Sequence, residues 1–155
     1  MEQELPKDFK ELLKLLNSNE VEYLVIGGYA VIIHGYVRNT SDLDIVVSRD
    51  RDNAEKCVKA LQEFGFAGTD VNAELFSSSD KNVARMGFPP VKIEILNYLE
   101  GVDFQTAYSR KITKDIEDME IDVISLEDLI SNKVSVGRLQ DQLDVEKLRE
   151  RNKAK

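Results

Sequence analysis

The chain has 155 residues, fits one domain of useful core size, and at 42% apolar and 32% charged has the make-up of an ordinary globular protein. Its net charge of −8 argues against a duplex-DNA-binding surface, where Lys and Arg must neutralise phosphates, but leaves room for a nucleotide held through divalent cations. No apolar run approaches the roughly 18 residues of a bilayer span, the charged start MEQELPKDFK predicts no secretory leader, and the single cysteine, Cys57, excludes an internal disulfide framework or a cysteine metal cluster, so one cytoplasmic domain over 1–155 is expected.

Residues 6–17 place Phe9, Leu12, Leu13 and Leu16 at helical spacing with Lys and Glu between them, an amphipathic helix. The run EYLVI (22–26) predicts a buried strand stopped by Gly27-Gly28, and YAVIIHG (29–35) a short buried helix closed by Gly35. LDIVV (43–47) predicts a second buried strand, and 51–64 a helix with Ala54, Val58, Leu61 and Phe64 on one face. The stretch 65–90 carries Gly, Ser and Pro clusters and reads as loops with one or two short strands, one of them near 82–87. VKIEIL (91–96) alternates, with Lys92 and Glu94 on one face and Val91, Ile93 and Ile95 on the other. A helical turn is expected at 103–108 and a hairpin at 110–114 and 119–124. Ser125 then caps a helix running to Val136, with Asp128 in the N3 place of a capping box, and a last helix starts near Gln140 and carries Leu143, Val145 and Leu148. The expected fold is α/β in the α+β sense: a small mixed sheet flanked by helices, with 22–26, 43–47 and 91–96 at its centre.

The chemistry concentrates in LVIGGYAVIIHGYVRNTSDLDIVV (24–47). Asp42 and Asp44 are two apart, so on a strand both point to one face, about 7 Å apart along the chain. Two carboxylates forced together raise each other's pKa, and a divalent cation removes that penalty. Hard oxygen ligands on one face suit Mg²⁺, which keeps waters and accepts phosphate oxygens as further ligands. Two such ions stabilise both the attacking and the leaving oxygen of an in-line phosphoryl displacement. Gly27 and Gly28 allow close backbone approach to a phosphate, and helix-start N–H groups point at it. Each piece alone has a bland reading: a turn, a cap, a tight corner.

In this order, Gly27-Gly28-x-Ala30, His34-Gly35, Arg38-x-Thr40-x-Asp42-Leu43-Asp44 resembles the nucleotidyltransferase superfamily related to DNA polymerase beta. Within it the chain is similar to the small stand-alone members, such as lincosamide-type and abortive-infection or toxin–antitoxin nucleotidyltransferases. Thirteen residues separate Gly28 from Asp42, a longer spacer than many members have. The resemblance implies a third carboxylate on a neighbouring strand. Glu94 is the candidate, in place of the usual Asp, as metal ligand or as base for the acceptor's proton, with Asp122 as its rival. It also implies that SLEDLISNKVSVGRLQDQLD follows the sheet, where Lys133 or Arg138 reaches the triphosphate or, alternatively, Arg138 ties two helices together through Asp141 or Asp144.

The expected activity is transfer of a nucleoside monophosphate from an NTP, ATP first among them, to a hydroxyl acceptor with release of pyrophosphate. Asp42, Asp44 and Glu94 would be the metal and catalytic residues for about two Mg²⁺ ions. Gly27, Gly28, Arg38, Thr40, Lys133 and Arg138 would hold the nucleotide. The acceptor is a small molecule, an RNA end or a protein side chain, and a chain this short invites a homodimer or a toxin–antitoxin partner. The competing expectation is a weakly active or inactive binding partner that keeps the fold, favoured by Glu in place of Asp at 94. His34 reads as a partly buried, hydrogen-bonded residue, Tyr29 as core packing or as a ring that stacks on a base, Arg38 equally as a phosphate clamp, a surface residue or a partner of Asp42, Cys57 as inert, Thr40 and Ser41 as turn formers, and the basic tail from Lys147 as a solvated helix end.

Overall fold

The computed structural model describes residues 5–66, 71–88 and 91–153. Its elements are α1 (Lys7–Ser18), β1 (Tyr23–Ile26), α2 (Gly27–Ile33), β2 (Asp42–Val47), α3 (Arg51–Phe64), α4 (Ala73–Ser77), β3 (Val83–Phe88), β4 (Val91–Leu96), α5 (Phe104–Ser109), β5 (Ile112–Ile116), β6 (Met119–Val123), α6 (Leu126–Val136) and α7 (Leu139–Asn152). Six strands form one mixed sheet in the order β3-β4-β2-β1-β6-β5. β2 pairs antiparallel with β1 and parallel with β4, and β1 pairs parallel with β6. The three strands expected at the centre therefore lie side by side.

Side-chain alternation on β2 decides what each face does. Leu43, Ile45 and Val47 point one way and are buried with Ile93 and Ile95 of β4. Leu43 shares an apolar cavity with Leu13 of α1, whose Phe9, Leu12, Leu13 and Leu16 form the buried stripe predicted from their spacing. Asp42 and Asp44 point to the opposite face, where Asp44 shares a cleft with residues of α6 and α7. Both faces of the sheet thus carry core, with Leu24 and Val46 buried on the second, and that second face also carries the site.

Several boundaries move. Gly27 and Gly28 begin α2 instead of preceding it, and the helix ends at Ile33. Strand β3 falls where 82–87 was expected, but the loop reading of 65–90 misses α4, five residues capped by the Asn72 side chain on Leu75 N. A helix that short buries only Phe76 and shows no period. The β5–β6 hairpin turns through Glu117 and Asp118, both at positive φ (51° and 65°), the geometry of a two-residue primed turn. Ser125 caps α6 as expected, but Asp128 does not complete the capping box. Its carboxylate is forked by Arg110 at 3.1 and 2.7 Å. Cys57 is buried, which pushes its thiol up to about 12. Tyr29 packs edge-on against Phe9, and His34 Nε2 donates to Ile124 O at 2.8 Å, so His34 takes the role expected of it and Tyr29 the packing one of its two.

One buried amide staples the segment beside the site. Asn97, just past β4 and 2% exposed, accepts from Asn82 N at 2.7 Å and donates towards the carbonyls of Leu75, Phe76, Ser78 and Asp80. Asn97→Ala takes this partner from Asn82 N and from the carbonyls, of which Leu75 O keeps Asn82 Nδ2 at 2.8 Å, and urea unfolding is expected to show a loss of about 1–3 kcal/mol.

Candidate active site

Asp44 is the centre of the constellation. On β2 it stands opposite Glu94 of β4 and opposite Ile26 of β1. Asp42, two residues back, stands opposite Lys92 and accepts a hydrogen bond from Ser41 Oγ at 3.0 Å. Asp122, the rival third carboxylate, lies on β6 beyond β1 and accepts from Thr113 Oγ1 at 3.1 Å. Glu94 is therefore the carboxylate across from Asp44.

The glycines are required by what crowds them. Gly27 has φ +67°, and a Cβ there would lie 2.3 Å from Asp44 Oδ2. A Cβ on Gly28 would lie 2.3 Å from Thr40 Oγ1. The space their missing side chains leave is filled by the segment entering β2, which brings Asp44 against the start of α2. Thr40 thus sits against Gly28, and Arg38 approaches the same point.

Asp44 Oδ1 is buried without a hydrogen-bond partner, the only such side-chain atom among the described residues. Burial, then the charges of Glu94 and Asp42, push its carboxyl up to about 6, against the opposing pull of Lys133. An oxygen left bare in a nest of like charges calls for a cation. In the present arrangement no three acidic, histidine or cysteine side chains among the described residues converge into a ready-made metal cage. Glu94 is turned to Arg85, whose Nε donates to Glu94 Oε2 at 2.7 Å. The donor set suits a hard divalent ion that takes remaining ligands from water and phosphate, rather than one caged by protein alone.

Behind the carboxylates lies a second charged cluster. Lys133, 5% exposed, donates to Asp141 Oδ1 at 3.1 Å and lies 3.0 Å from Asp144 Oδ2. Arg138 forks onto Asp141 at 2.7 and 3.2 Å, and its backbone N–H donates to the same carboxylate. Arg38 forks onto Asp144 at 2.9 Å through both Nε and Nη2. Burial alone would raise the two aspartates. Hydrogen bonds from Arg138 and Lys133 on Asp141, and from Arg38 and Lys133 on Asp144, outweigh it and hold both below the ordinary carboxylate value. The predicted tie between helices is real, but Lys133 is its centre, and the partner of Arg38 is Asp144 rather than Asp42.

A cleft of about 490 Å³ joins these parts. Asp44, Glu94, Arg85, Lys133, Arg138 and Gly27 mark its charged end, and Leu96, Tyr98, Leu99, Asn132 and Val136 line the remainder. Arg38, Thr40, Gly28 and Asp42 are not among its lining residues. Sequence reasoning missed Arg85 and Asn132. Reading 83–88 and 91–96 as one hairpin centred between 89 and 90 would have set 85 opposite 94, which is the register found. Asn132, in a polar turn of α6 and donating to Glu100 O at 2.9 Å, carried no comparable signal.

The sequence profile of the aminoglycoside-2''-adenylyltransferase family matches residues 8–148. The chain belongs to that family. It is thereby a member of the nucleotidyltransferases, as the Gly-Gly and Asp-x-Asp pattern implied. Among solved structures it is similar to a protein of Thermotoga maritima assigned as a nucleotidyltransferase, at 24% identity and TM-score 0.61, covering 92% of this chain and 91% of that one. It is similar to a nucleotidyltransferase-like antigenic protein of Paracoccidioides brasiliensis at 17% identity and TM-score 0.53, covering 92% and 75%. It also resembles the lincosamide antibiotic adenylyltransferase LnuA in its lincomycin-bound form, at 15% identity and TM-score 0.55, covering 96% and 98%. At these identities the likenesses establish the nucleotidyltransferase fold. No curated protein matches the chain. No helix among the described residues is long and apolar enough to cross a membrane.

The raised Asp44 carboxyl has a measurable consequence. Its folded value of about 6 exceeds the ordinary 3.8, so deprotonation costs stability as pH rises through that window, and the cost is complete above it. The cost is on the order of 2–3 kcal/mol. Without metal, Asp44→Asn is expected to be more stable than wild type to urea at pH 8, with the gap closing towards pH 4. A gap independent of pH would contradict this electrostatic account. The cluster behind Asp44 predicts an asymmetry. Lys133→Met removes the buried cation that Asp141 and Asp144 share, leaving Asp141 to Arg138 and Asp144 to Arg38, and is expected to cost about 1.5–3 kcal/mol. Arg138→Met, with a side chain 73% exposed, costs far less.

Proposed function

We propose that the protein transfers a nucleoside monophosphate from an NTP to a hydroxyl acceptor, with divalent metal held by Asp42, Asp44 and Glu94. The observation that carries this reading is the bare, buried Oδ1 of Asp44, on a carboxylate in register with Glu94 whose other oxygen lies against Gly27. Family membership supports the reaction class. The metal, Mg²⁺ by the hardness of its ligands, neutralises charge at the α-phosphate and lowers the pKa of the attacking hydroxyl.

The protein's own residues do the rest by placement and charge. Gly27 lets the Asp44 carboxylate lie against the start of α2, at the edge of the cleft where the triphosphate would enter. Lys133 and Arg138 stand at the charged end of the cleft and set a positive background for the phosphates. The part lined by Tyr98, Leu99, Asn132 and Val136, with Glu100 beside them, offers apolar and amide surface for base and sugar. The acceptor oxygen bonds to the α-phosphorus, the bond to the bridging oxygen of pyrophosphate breaks, and the acceptor's proton passes to a Glu94 oxygen. ATP is the first NTP to test, because the matched family is one of adenylyltransferases. The acceptor is a small molecule, an RNA end or a protein side chain.

Arg38 and Thr40 act on this reading as builders of the β2 entrance, because the fork of Arg38 is taken by Asp144. The pairing of Glu94 with Arg85 favours one alternative, an inactive fold-keeping partner such as an antitoxin-like subunit.

Calorimetric titration of ATP with and without Mg²⁺ separates the two. Metal-dependent binding is expected for wild type and its loss, by at least about 100-fold, for the Asp42→Asn/Asp44→Asn double variant. Absence of metal-dependent binding for every NTP, together with recovery of the chain in a stable complex, would move the protein to the partner role.

A further inference from the structure

Three cations line the cleft among the described residues: Arg85, Lys133 and Arg138. Two of them already have work inside the protein. Lys133 is buried between Asp141 and Asp144, and Arg138 forks onto Asp141. Neither aspartate is a metal ligand in the reading above, so neither cation gains freedom when substrate enters.

Arg85 differs in its partner. That partner is Glu94, directly opposite in the β3–β4 register, bonded through Nε at 2.7 Å. Its side chain is 65% exposed and rises from β3, an edge strand with one neighbour. Glu94 is the carboxylate assigned to the metal. A cation that takes Glu94 takes it from Arg85, and does so at the place where a polyphosphate must lie.

We propose that Arg85 is a polyphosphate-binding residue held in reserve by Glu94. With Glu94 engaged as a metal ligand, the Arg85 guanidinium would lose its partner and would be free to fork onto phosphate oxygens of the nucleotide. The proposal rests on the nucleotidyltransferase reading of this site. It follows from charge. A metal-bound triphosphate is still anionic, Asp44 and Glu94 already stand at this end of the cleft with Asp42 beside them on β2, and an anion enters such a place only with a cation not committed elsewhere. The planar fork of arginine matches phosphate geometry, and an exposed ion pair costs little to exchange. The same pair has a second effect: with its guanidinium on Glu94, Arg85 competes with a divalent ion that arrives alone and assists one that arrives with nucleotide, so metal and nucleotide load together.

The test uses the full chain as wild type, Arg85→Gln and Arg85→Lys. Mn²⁺ binding without nucleotide is followed by electron paramagnetic resonance. Binding of the α,β-methylene analogues of the four ribonucleoside triphosphates, with Mn²⁺ present, is followed by calorimetry. Arg85→Gln is expected to bind Mn²⁺ alone roughly threefold to tenfold more tightly, because Glu94 has lost its rival partner. The same variant is expected to bind the Mn²⁺–nucleotide about tenfold more weakly. Arg85→Lys keeps the charge but not the fork and should fall between. Thermal unfolding should stay within a few degrees of wild type, since an exposed pair adds little stability. Opposite changes in the two affinities are the signature, because a merely structural surface pair would move neither. Wild-type nucleotide binding that Arg85→Gln and Arg85→Lys leave unchanged would overturn the role of Arg85 while the site reading stands. Wild-type protein that binds none of the analogues would overturn both.

Discussion

The ammonium of Lys133 is buried at 5% exposure, with the carboxylates of Asp141 and Asp144 at 3.1 and 3.0 Å. A charge in that position is tolerable only if its neighbours stay where they are, because a buried ion without a partner costs several kcal/mol. Asp141 and Asp144 belong to α7, Lys133 to α6, and Asp144 also holds Arg38, which comes from the segment entering β2. One cluster therefore fixes the angle between the last two helices and anchors the chain that delivers Asp42 and Asp44. Thr40 seated against Gly28 completes the anchorage from the other side.

With that frame set, the site divides by sign. The sheet presents Asp42, Asp44 and Glu94, and the helices present cations whose charge is mostly spent on their own aspartates. The result is a strongly negative wall facing a nearly neutral one. Such an arrangement wastes stability unless a cation arrives to use it, and the bare oxygen of Asp44 is where the waste is concentrated. The fold thus holds ready a place that only a metal and its anionic cargo together satisfy.

Much of this was legible in the order of residues. The buried runs at 22–26 and 43–47 and the alternation in VKIEIL report their strands, because burial on one or both faces leaves a period of two or none. Asp42 and Asp44 stand out since carboxylates inside an apolar strand need a reason. Glu94 was reachable through its polar face, although only the pairing of β4 with β2 brings it opposite Asp44. Less local facts left no trace in a linear pattern. The hold of Asp144 on Arg38 spans more than a hundred positions and is made by packing α7 over the β2 entrance. The role of Asp128 was misread because Arg110, in the preceding connection, offers a stronger partner than the backbone of Ser125. The glycines were rightly singled out, but the neighbours that crowd them are side chains of this chain, visible only once β2 folds back on α2.

The two strands that flank the site's third carboxylate are joined in different ways, and this bears on how such a protein can change over time. β2 and β4 run parallel, so the chain between them makes a long excursion through α3, α4 and β3. Residues gained or lost between α3 and α4 leave Asp44 facing Glu94, because the ladder and not the length of the excursion sets that pairing. β3 and β4 are antiparallel neighbours in immediate succession. A single residue gained or lost between them turns Arg85 to the opposite face of its strand and separates it from Glu94. Lineages of this fold are thus free to elaborate one connection and bound to the length of the other, and drift in the second connection would uncouple the arginine while sparing the carboxylates.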